Sequence, residues 1–324
     1  MVSVIVTTYN HKDYIKECLD SILSQVCNFP FEIIIGEDES QDGTRDICKQ
    51  YALKHPEKIK LFLRSRKDVI YINGNPTGRF NFRESLKVAK GTYIALCEGD
   101  DYWADPLKLQ KQVDILEKNK DYILCHHWQK YAIYQNEEWV EVAAPKKGHG
   151  YFPNTHGTVK EVFENKLRVK SRSLLFRNVI TENFFPDWYT KVAFGDVALS
   201  FLLGKLGSFY FIDEPMAVYR QTNQGLSTAG KTTLGNRKFI VRHFKNWISI
   251  WDFGLQFYNY KFSKEALATV SLFYKRIIDH LPRNHISLLG IMRFNFFSRT
   301  LPFLMKVSSF KLFFKYYIRR IIKK

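Results

Sequence analysis

Gly91-Thr92-Tyr93-Ile94-Ala95-Leu96-Cys97, followed at once by Glu98-Gly99-Asp100-Asp101-Tyr102-Trp103, is the stretch on which the reading of this chain turns. The first seven residues form an apolar run of strand length, and Asp105-Pro106 beyond them is a helix start signal. Three carboxylates are thereby placed in a loop at the carboxyl end of a buried strand, where open α/β sheets bind their ligands. Two like charges about 5 Å apart at an effective dielectric near 20 repel by roughly 3 kcal/mol, so a positive partner is expected among these acids. A divalent cation, Mn²⁺ or Mg²⁺, suits hard oxygen donors and usually keeps waters or binds substrate phosphates. A bare three-acid loop also fits a solvated turn that caps the next helix.

Working outward, Ser3 to Thr8 is a β-branched first strand, and Ile15, Cys18, Leu19, Ile22 and Leu23 recur at helical spacing behind it. Glu32-Ile33-Ile34-Ile35-Gly36 is uniformly apolar at its centre, as strands buried on both faces are. The acidic loop Glu37-Asp38-Glu39-Ser40-Gln41-Asp42-Gly43-Thr44 follows, then a helix through Ile47, Cys48, Tyr51 and Ala52, and a third strand from Ile59 to Leu63. A Gly/Asn/Pro-rich loop from Asn73 to Gly78 leads to a helix through Phe82, Leu86 and Ala89. Strands alternating with helices at these intervals predict βαβ units and an α/β fold with a doubly wound, mostly parallel sheet. Both acidic loops then open on one edge of it.

Ile123 to Cys125, Ser173 to Phe176 and Phe209 to Ile212 read as later strands, with a helix from about Asp196 to Lys205. From Tyr131 to about Lys170 the pattern blurs, and from about Lys231 it turns helical. The expected organisation is a catalytic domain over 1–228 and a helical, basic region over 229–324.

The formal net charge is +17, with no Asp or Glu after Asp279 and ten Lys or Arg in the last 45 residues. In Phe310 to Lys324, Phe310, Phe314, Tyr317 and Ile321 share one helical face and Lys311, Lys315, Arg319 and Lys323 line the other. A helix of this kind, within 300–324, can lie on an anionic membrane surface, and it can equally pack on the domain with a solvated rim. No nucleic-acid motif accompanies the charge, so no nucleic-acid partner is expected. The five cysteines lack a CxxC pair and read as reduced thiols. With an N-terminus that enters a strand almost at once and no uncharged run near 18 residues, the expected location is the cytoplasm, with docking at the inner membrane face through the tail. Adjacent His126 and His127 face opposite sides of a strand and read as structural.

A nucleotide diphosphate needs a base pocket and a cation on its phosphates. Asp38 could accept from a base's ring N–H or cap the helix after it, and Tyr9 could stack on the base or pack internally. Val4-Ile5-Val6-Thr7-Thr8-Tyr9-Asn10, Glu37 to Thr44, and Glu98 to Trp103, extended by Asp105 to Gln112, resemble in order and spacing the opening of family 2 glycosyltransferases, nucleotide-sugar enzymes of the GT-A fold. The likeness covers roughly residues 1 to 225. It implies that Thr7, Tyr9 and Asp38 line a nucleoside pocket and that Glu98, Asp100 and Asp101 occupy the acidic metal motif. Glu98 replaces its usual first Asp, and either Asp100 or Asp101 would be the direct ligand while a neighbour holds the ribose. Gly195-Asp196-Val197-Ala198-Leu199 resembles the stretch that carries the general base, here Asp196, which from the residues alone could simply cap its helix. Tyr219-Arg220-Gln221 resembles the segment that closes over the donor diphosphate, with Gln221 where members often carry His. The implied activity is metal-dependent, inverting transfer of a sugar from a nucleotide-diphosphate donor to a glycan or lipid-linked glycan in bacterial surface polysaccharide synthesis. The alternatives are a nucleotide-sugar-binding protein without turnover and a polyanion-binding protein.

Overall fold

The computed structural model describes residues 1–143, 155–222 and 236–280, together with Lys311, Phe314 and Ile318. The element order is β1 (Val2–Thr8), α1 (Ile15–Leu23), β2 (Phe31–Glu37), α2 (Thr44–Lys54), β3 (Ile59–Leu63), β4 (Ile70–Ile72), β5 (Asn75–Thr77), α3 (Arg79–Lys87), β6 (Tyr93–Glu98), β7 (Tyr102–Trp103) and α4 (Lys108–Lys118). There follow β8 (Tyr122–Gln135), β9 (Glu138–Val142), α5 (Val159–Phe163), β10 (Leu175–Arg177), α6 (Gly195–Leu203), β11 (Ser208–Arg220), α7 (Asn236–Phe257) and α8 (Ser263–His280).

Among the described residues the main sheet runs β3-β2-β1-β6-β10-β8-β11-β7, with β9 on β8. The β3-β2-β1-β6 half is parallel throughout, as expected from its βαβ spacing. On one face Val2, Val4 and Val6, with Ile33, Ile35, Ala95 and Cys97, pack against Cys18, Leu19 and Ile22 of α1 and Leu109 and Leu116 of α4. The alternate residues Ile5, Ile34 and Ile94 are buried too, which is why β1, β2 and β6 lack a polar period. Since β1 lies between β2 and β6, the loops after Thr8, Glu37 and Glu98 emerge side by side.

Beyond β6 the sheet mixes directions: β10 is antiparallel to β6 and β8, while β8 and β11 run parallel. Three local expectations are corrected. The Asn73 to Gly78 stretch holds the turn and second strand of the hairpin β4–β5, and Asn73 and Gly74 both have positive φ as a type I′ turn requires. The helix expected at Asp105-Pro106 begins at Lys108, with Asp105 Oδ1 accepting from the Leu107 N–H at 2.8 Å. The strand around Cys125 continues to Gln135 and turns through Asn136 and Glu137, again at positive φ, into β9.

The chain forms two compact units. The first comprises Met1–Thr158, Arg168–Lys191 and Leu202–Thr222, and holds the sheet. The second takes Val159–Leu167, Val192–Phe201 and the later helices. An aromatic core sustains it: Phe163 stacks on Phe201 at 4.6 Å, Trp251 donates from Nε1 to the Phe163 carbonyl at 3.1 Å, and the Tyr258 hydroxyl donates to the Phe201 carbonyl at 2.8 Å.

Candidate active site

The acidic loop is tied to β1 by its backbone. Gly99 donates its N–H to the Thr7 carbonyl at 3.0 Å. A Cβ on Gly99 would lie 2.6 Å from Thr8 Oγ1 and 2.9 Å from His11 Nδ1, so only glycine lets the loop approach this closely.

Its three carboxylates have different surroundings. Asp101 is 1% exposed; its Oδ2 accepts from Arg172 Nε and its Oδ1 from the Arg220 N–H at 3.0 Å. Burial works against the charge on Arg172, but Asp101 and Glu98 outweigh it and hold the guanidinium protonated, its pKa raised. Arg172 Nη1 also donates to Gln129 Oε1 at 2.7 Å, and the guanidinium lies 4.1 Å from the centre of the Tyr219 ring. Glu98 accepts from Ser171 Oγ through Oε1, while its Oε2 is buried with no hydrogen-bond partner among the described residues. Asp100 keeps a partly exposed carboxylate, with His11 Nε2 3.9 Å from Oδ2.

Arg220 is 3% exposed and clamps this loop: Nη1 donates to the Asp100 carbonyl at 2.9 Å, Nη2 pairs with Glu17, and the guanidinium sits 4.5 Å from the centre of the Tyr102 ring. The positive charge expected among the acids is therefore supplied at Asp101 by Arg172 of the chain itself, with the Arg220 backbone N–H as a second, neutral donor.

On the other side of β1, the Asp38 N–H donates to the Thr8 carbonyl at 3.1 Å. Asp38 is 3% exposed, and its Oδ2 accepts from Arg66 Nη1 at 2.7 Å. Burial raises the pKa of Asp38, against the pull of Arg66. The same guanidinium lies 4.1 Å from the centre of the Tyr9 ring, a residue 38% exposed. Arg66 is held in turn by Glu39, whose Oε2 accepts the Arg66 N–H at 2.6 Å. At the start of α2, whose N-cap is Gly43, it is Asp42 and not Asp38 that accepts the Thr44 N–H, at 3.0 Å. Thr7, Tyr9, Asp38, Glu98, Asp100, Asp101 and Arg220 thus converge on one edge of the parallel half.

A family model, glycosyl transferase family 2, matches residues 3–182, which include β1 from Ser3 onward, both acidic loops and the arginine that pairs with Asp101. This chain is a family 2 glycosyltransferase. An uncharacterized protein of Mycobacterium tuberculosis is 31% identical over 242 residues, covering 74% of this chain, and the chain spans 63% of that relative's length. An uncharacterized glycosyltransferase of Methanocaldococcus jannaschii is 26% identical over 76% of the chain and 80% of its own length. Among solved structures, Staphylococcus aureus TarS residues 1–349 in complex with UDP-GlcNAc superposes with a TM-score of 0.61 at 15% identity, covering 98% of this chain and 89% of that one. The mannosyltransferase PcManGT of Pyrobaculum calidifontis, in complex with GDP-Man and Mn²⁺, gives 0.55 at 17% identity over 99% and 86%. These two likenesses establish that the family 2 chain has the GT-A fold.

Asp196 of this glycosyltransferase belongs to the second unit, in the first turn of α6, where Oδ1 accepts the Val197 N–H at 2.9 Å. His126 and His127 are both buried, and burial pushes His126 down to about 3 and His127 in the same direction, as structural histidines behave. Sequence reasoning missed Arg66, Ser171 and Arg172. Arg66 had a usable signal, since Arg64-Ser65-Arg66-Lys67 follows β3 on the ligand-binding edge of the sheet. Lys170-Ser171-Arg172-Ser173 had none, being indistinguishable from a surface turn.

The donor set fits a divalent cation in part. Asp100 is accessible, and Glu98 Oε2 is a buried oxygen without a partner. Among the described residues no three His, Cys, Asp or Glu side chains form a closed metal cage. An ion here would complete its shell with water and substrate oxygens, as Mg²⁺ and Mn²⁺ do.

Proposed function

We propose that this glycosyltransferase moves a sugar, with inversion, from a nucleotide-diphosphate donor to a glycan or lipid-linked acceptor in surface polysaccharide synthesis. The reading is carried by the convergence of Asp38 with Arg66 and Tyr9 on one side of β1 and of Asp100 with Glu98 on the other. Asp38 Oδ1 takes no hydrogen bond from the described residues and is suited to accept from a base's ring N–H, with Tyr9 stacking on the ring face away from Arg66. Asp100 and Glu98 would hold Mn²⁺ or Mg²⁺, which when bound supplies positive charge to the departing diphosphate. Asp101 and Arg220 fix the loop that carries Asp100, so donor contacts are preorganised rather than built on binding. Asp196 takes the proton of the attacking hydroxyl as general base.

Among the described residues no helix is long and apolar enough to cross a membrane. The basic face of 300–324, outside the described residues apart from Lys311, Phe314 and Ile318, docks the protein on an anionic surface in this reading.

The test is a thermal-shift panel of UDP-, GDP- and dTDP-sugars with Mn²⁺ or Mg²⁺, followed by transfer assays on Asp196→Asn. One donor class should raise the melting temperature in a metal-dependent way, and the variant should keep that shift while transfer falls by about 10²–10⁴. Undiminished transfer removes Asp196 as base. A donor shift without transfer in the wild type points instead to a binding protein.

A further inference from the structure

We propose that the exposed aromatic face of the β8–β9 hairpin, formed by Trp139 and Tyr134 and backed by Tyr14, is a subsite for an uncharged sugar ring of the acceptor. This rests on the donor-site reading above and names the acceptor chemistry for the same site.

Cross-strand register places the groups. Tyr134 lies opposite Trp139, Ala132 opposite Glu141 in β9, and Ala132 opposite Arg220 in β11. Directly opposed residues share a sheet face, so Trp139, Tyr134, Glu141 and Arg220 project to one side. The Trp139 and Tyr134 rings are 5.4 Å apart, and the Tyr14 ring meets Trp139 edge-on at 5.9 Å. Tyr134 nevertheless remains 55% and Trp139 36% exposed.

Two routes of contact join this platform to the acidic loop. Through Tyr14, the Arg220 guanidinium is 5.4 Å from the ring centre and 2.9 Å from the Asp100 carbonyl. Through Tyr102, the hydroxyl donates to Glu141 Oε1 at 2.6 Å, and Glu141 Oε2 accepts from Lys130 at 2.9 Å. The aromatic face is therefore continuous with the end of the site where the donor's diphosphate and sugar would lie.

The chemistry selects the occupant. A pyranose ring has an apolar C–H face and a hydroxyl rim, which suits rigid amphipathic rings that carry their own polar tips. Exposed Asp13, which has no ion-pair partner among the described residues, adds negative charge beside Tyr14, and Glu141 stands on the platform's own face paired with Lys130. The unpaired carboxylate of Asp13 disfavours uronate or phosphate acceptors by like-charge repulsion and also disfavours an anionic lipid surface. One Trp–Tyr pair is far smaller than the roughly 800 Å² per partner of a stable protein interface, which argues against a second copy of the chain.

The experiment is saturation-transfer NMR on the full chain with the methyl glycosides of glucose, galactose, mannose, N-acetylglucosamine and glucuronic acid. At least one neutral glycoside should show ring-proton contacts that Trp139→Ala weakens roughly ten-fold and Trp139→Phe largely retains, with the glucuronide silent. Both variants should keep the nucleotide-sugar thermal shift of the wild type. The proposal is overturned if no neutral glycoside contacts the wild type, if Trp139→Ala binds as well as the wild type, or if the glucuronide alone binds. It is equally overturned if the Trp139 face instead mediates vesicle sedimentation or concentration-dependent dimerisation that Trp139→Ala abolishes. A wild type that lacks the nucleotide-sugar shift but binds glycosides through Trp139 fails the donor reading and keeps this one.

Discussion

Asp100 and Asp101 are adjacent in the chain and are asked to do opposite things. Asp101 is sealed under Arg172 and the Arg220 backbone, whereas Asp100 keeps an accessible carboxylate. Removing one partner of a buried ion pair strands the other charge and costs about 3–5 kcal/mol, so Asp101→Asn should lower unfolding free energy by that amount in urea titrations. Asp100→Asn should shift stability by less than about 0.5 kcal/mol and abolish metal-dependent enhancement of donor binding. The reverse pattern, a stable Asp101→Asn that loses metal response, would exchange the two roles. The acids were legible because three carboxylates in four residues after an apolar run is an uncommon pattern. The arginine that answers Asp101 was not, because a lone Arg in Lys170-Ser171-Arg172-Ser173 is distinguished only by the tertiary position of the 3₁₀ turn that carries it. Its proximity arises from the antiparallel pairing of β10, which follows it, against β6, which no local pattern specifies.

At the scale of elements, the parallel half was readable and the mixed half was not. Strands β1, β2, β3 and β6 are short apolar runs separated by helices with clear faces, and their pattern dictates both type and neighbours. Hairpin β4–β5 carries the Asn-Gly turn signal, but Pro76 in its second strand argues against a strand there. Strand β8 hides for another reason: beyond Cys125 it alternates buried His, Gln and Ala with half-exposed aromatic and basic residues, so hydrophobicity does not mark it. Its buried His126 has a measurable consequence. Both ring nitrogens lack a hydrogen-bond partner among the described residues, the ring packs 5.1 Å from Phe211, and burial lowers its pKa to about 3. The unfolded chain takes up that proton near 6.5 and the folded chain does not until about 3, so protons favour unfolding across that window. Stability should fall as pH drops from 6.5 towards 3, by up to about 1.4 kcal/mol per unit from this residue, and the term should be absent above 6.5. His126→Leu should flatten the slope by that amount in denaturant titrations at stepped pH; an unchanged slope would mean that the ring is protonated in the fold.

For the molecule as a whole, the +17 charge belongs largely to a region that plays no part in the donor site as read here. The residues that converge on the sheet edge all precede 221, and those removed by deleting 300–324 include seven Lys or Arg and no acid. If that face docks on lipid, each basic residue near an anionic surface contributes about 1 kcal/mol, and the attraction is screened over a Debye length of about 10 Å at 0.1 M salt. The full chain should therefore co-sediment with phosphatidylserine vesicles at low salt, release at high salt, and ignore phosphatidylcholine vesicles. The 300–324 deletion should lose sedimentation and keep the nucleotide-sugar thermal shift. If the tail instead packs on the domain, the deletion should lower the melting temperature and the full chain should not bind vesicles, because its apolar face is already covered. The two outcomes differ in sign on two independent measurements, which separates a lipid-facing Phe310, Phe314, Tyr317 and Ile321 stripe from one that completes the protein's own core.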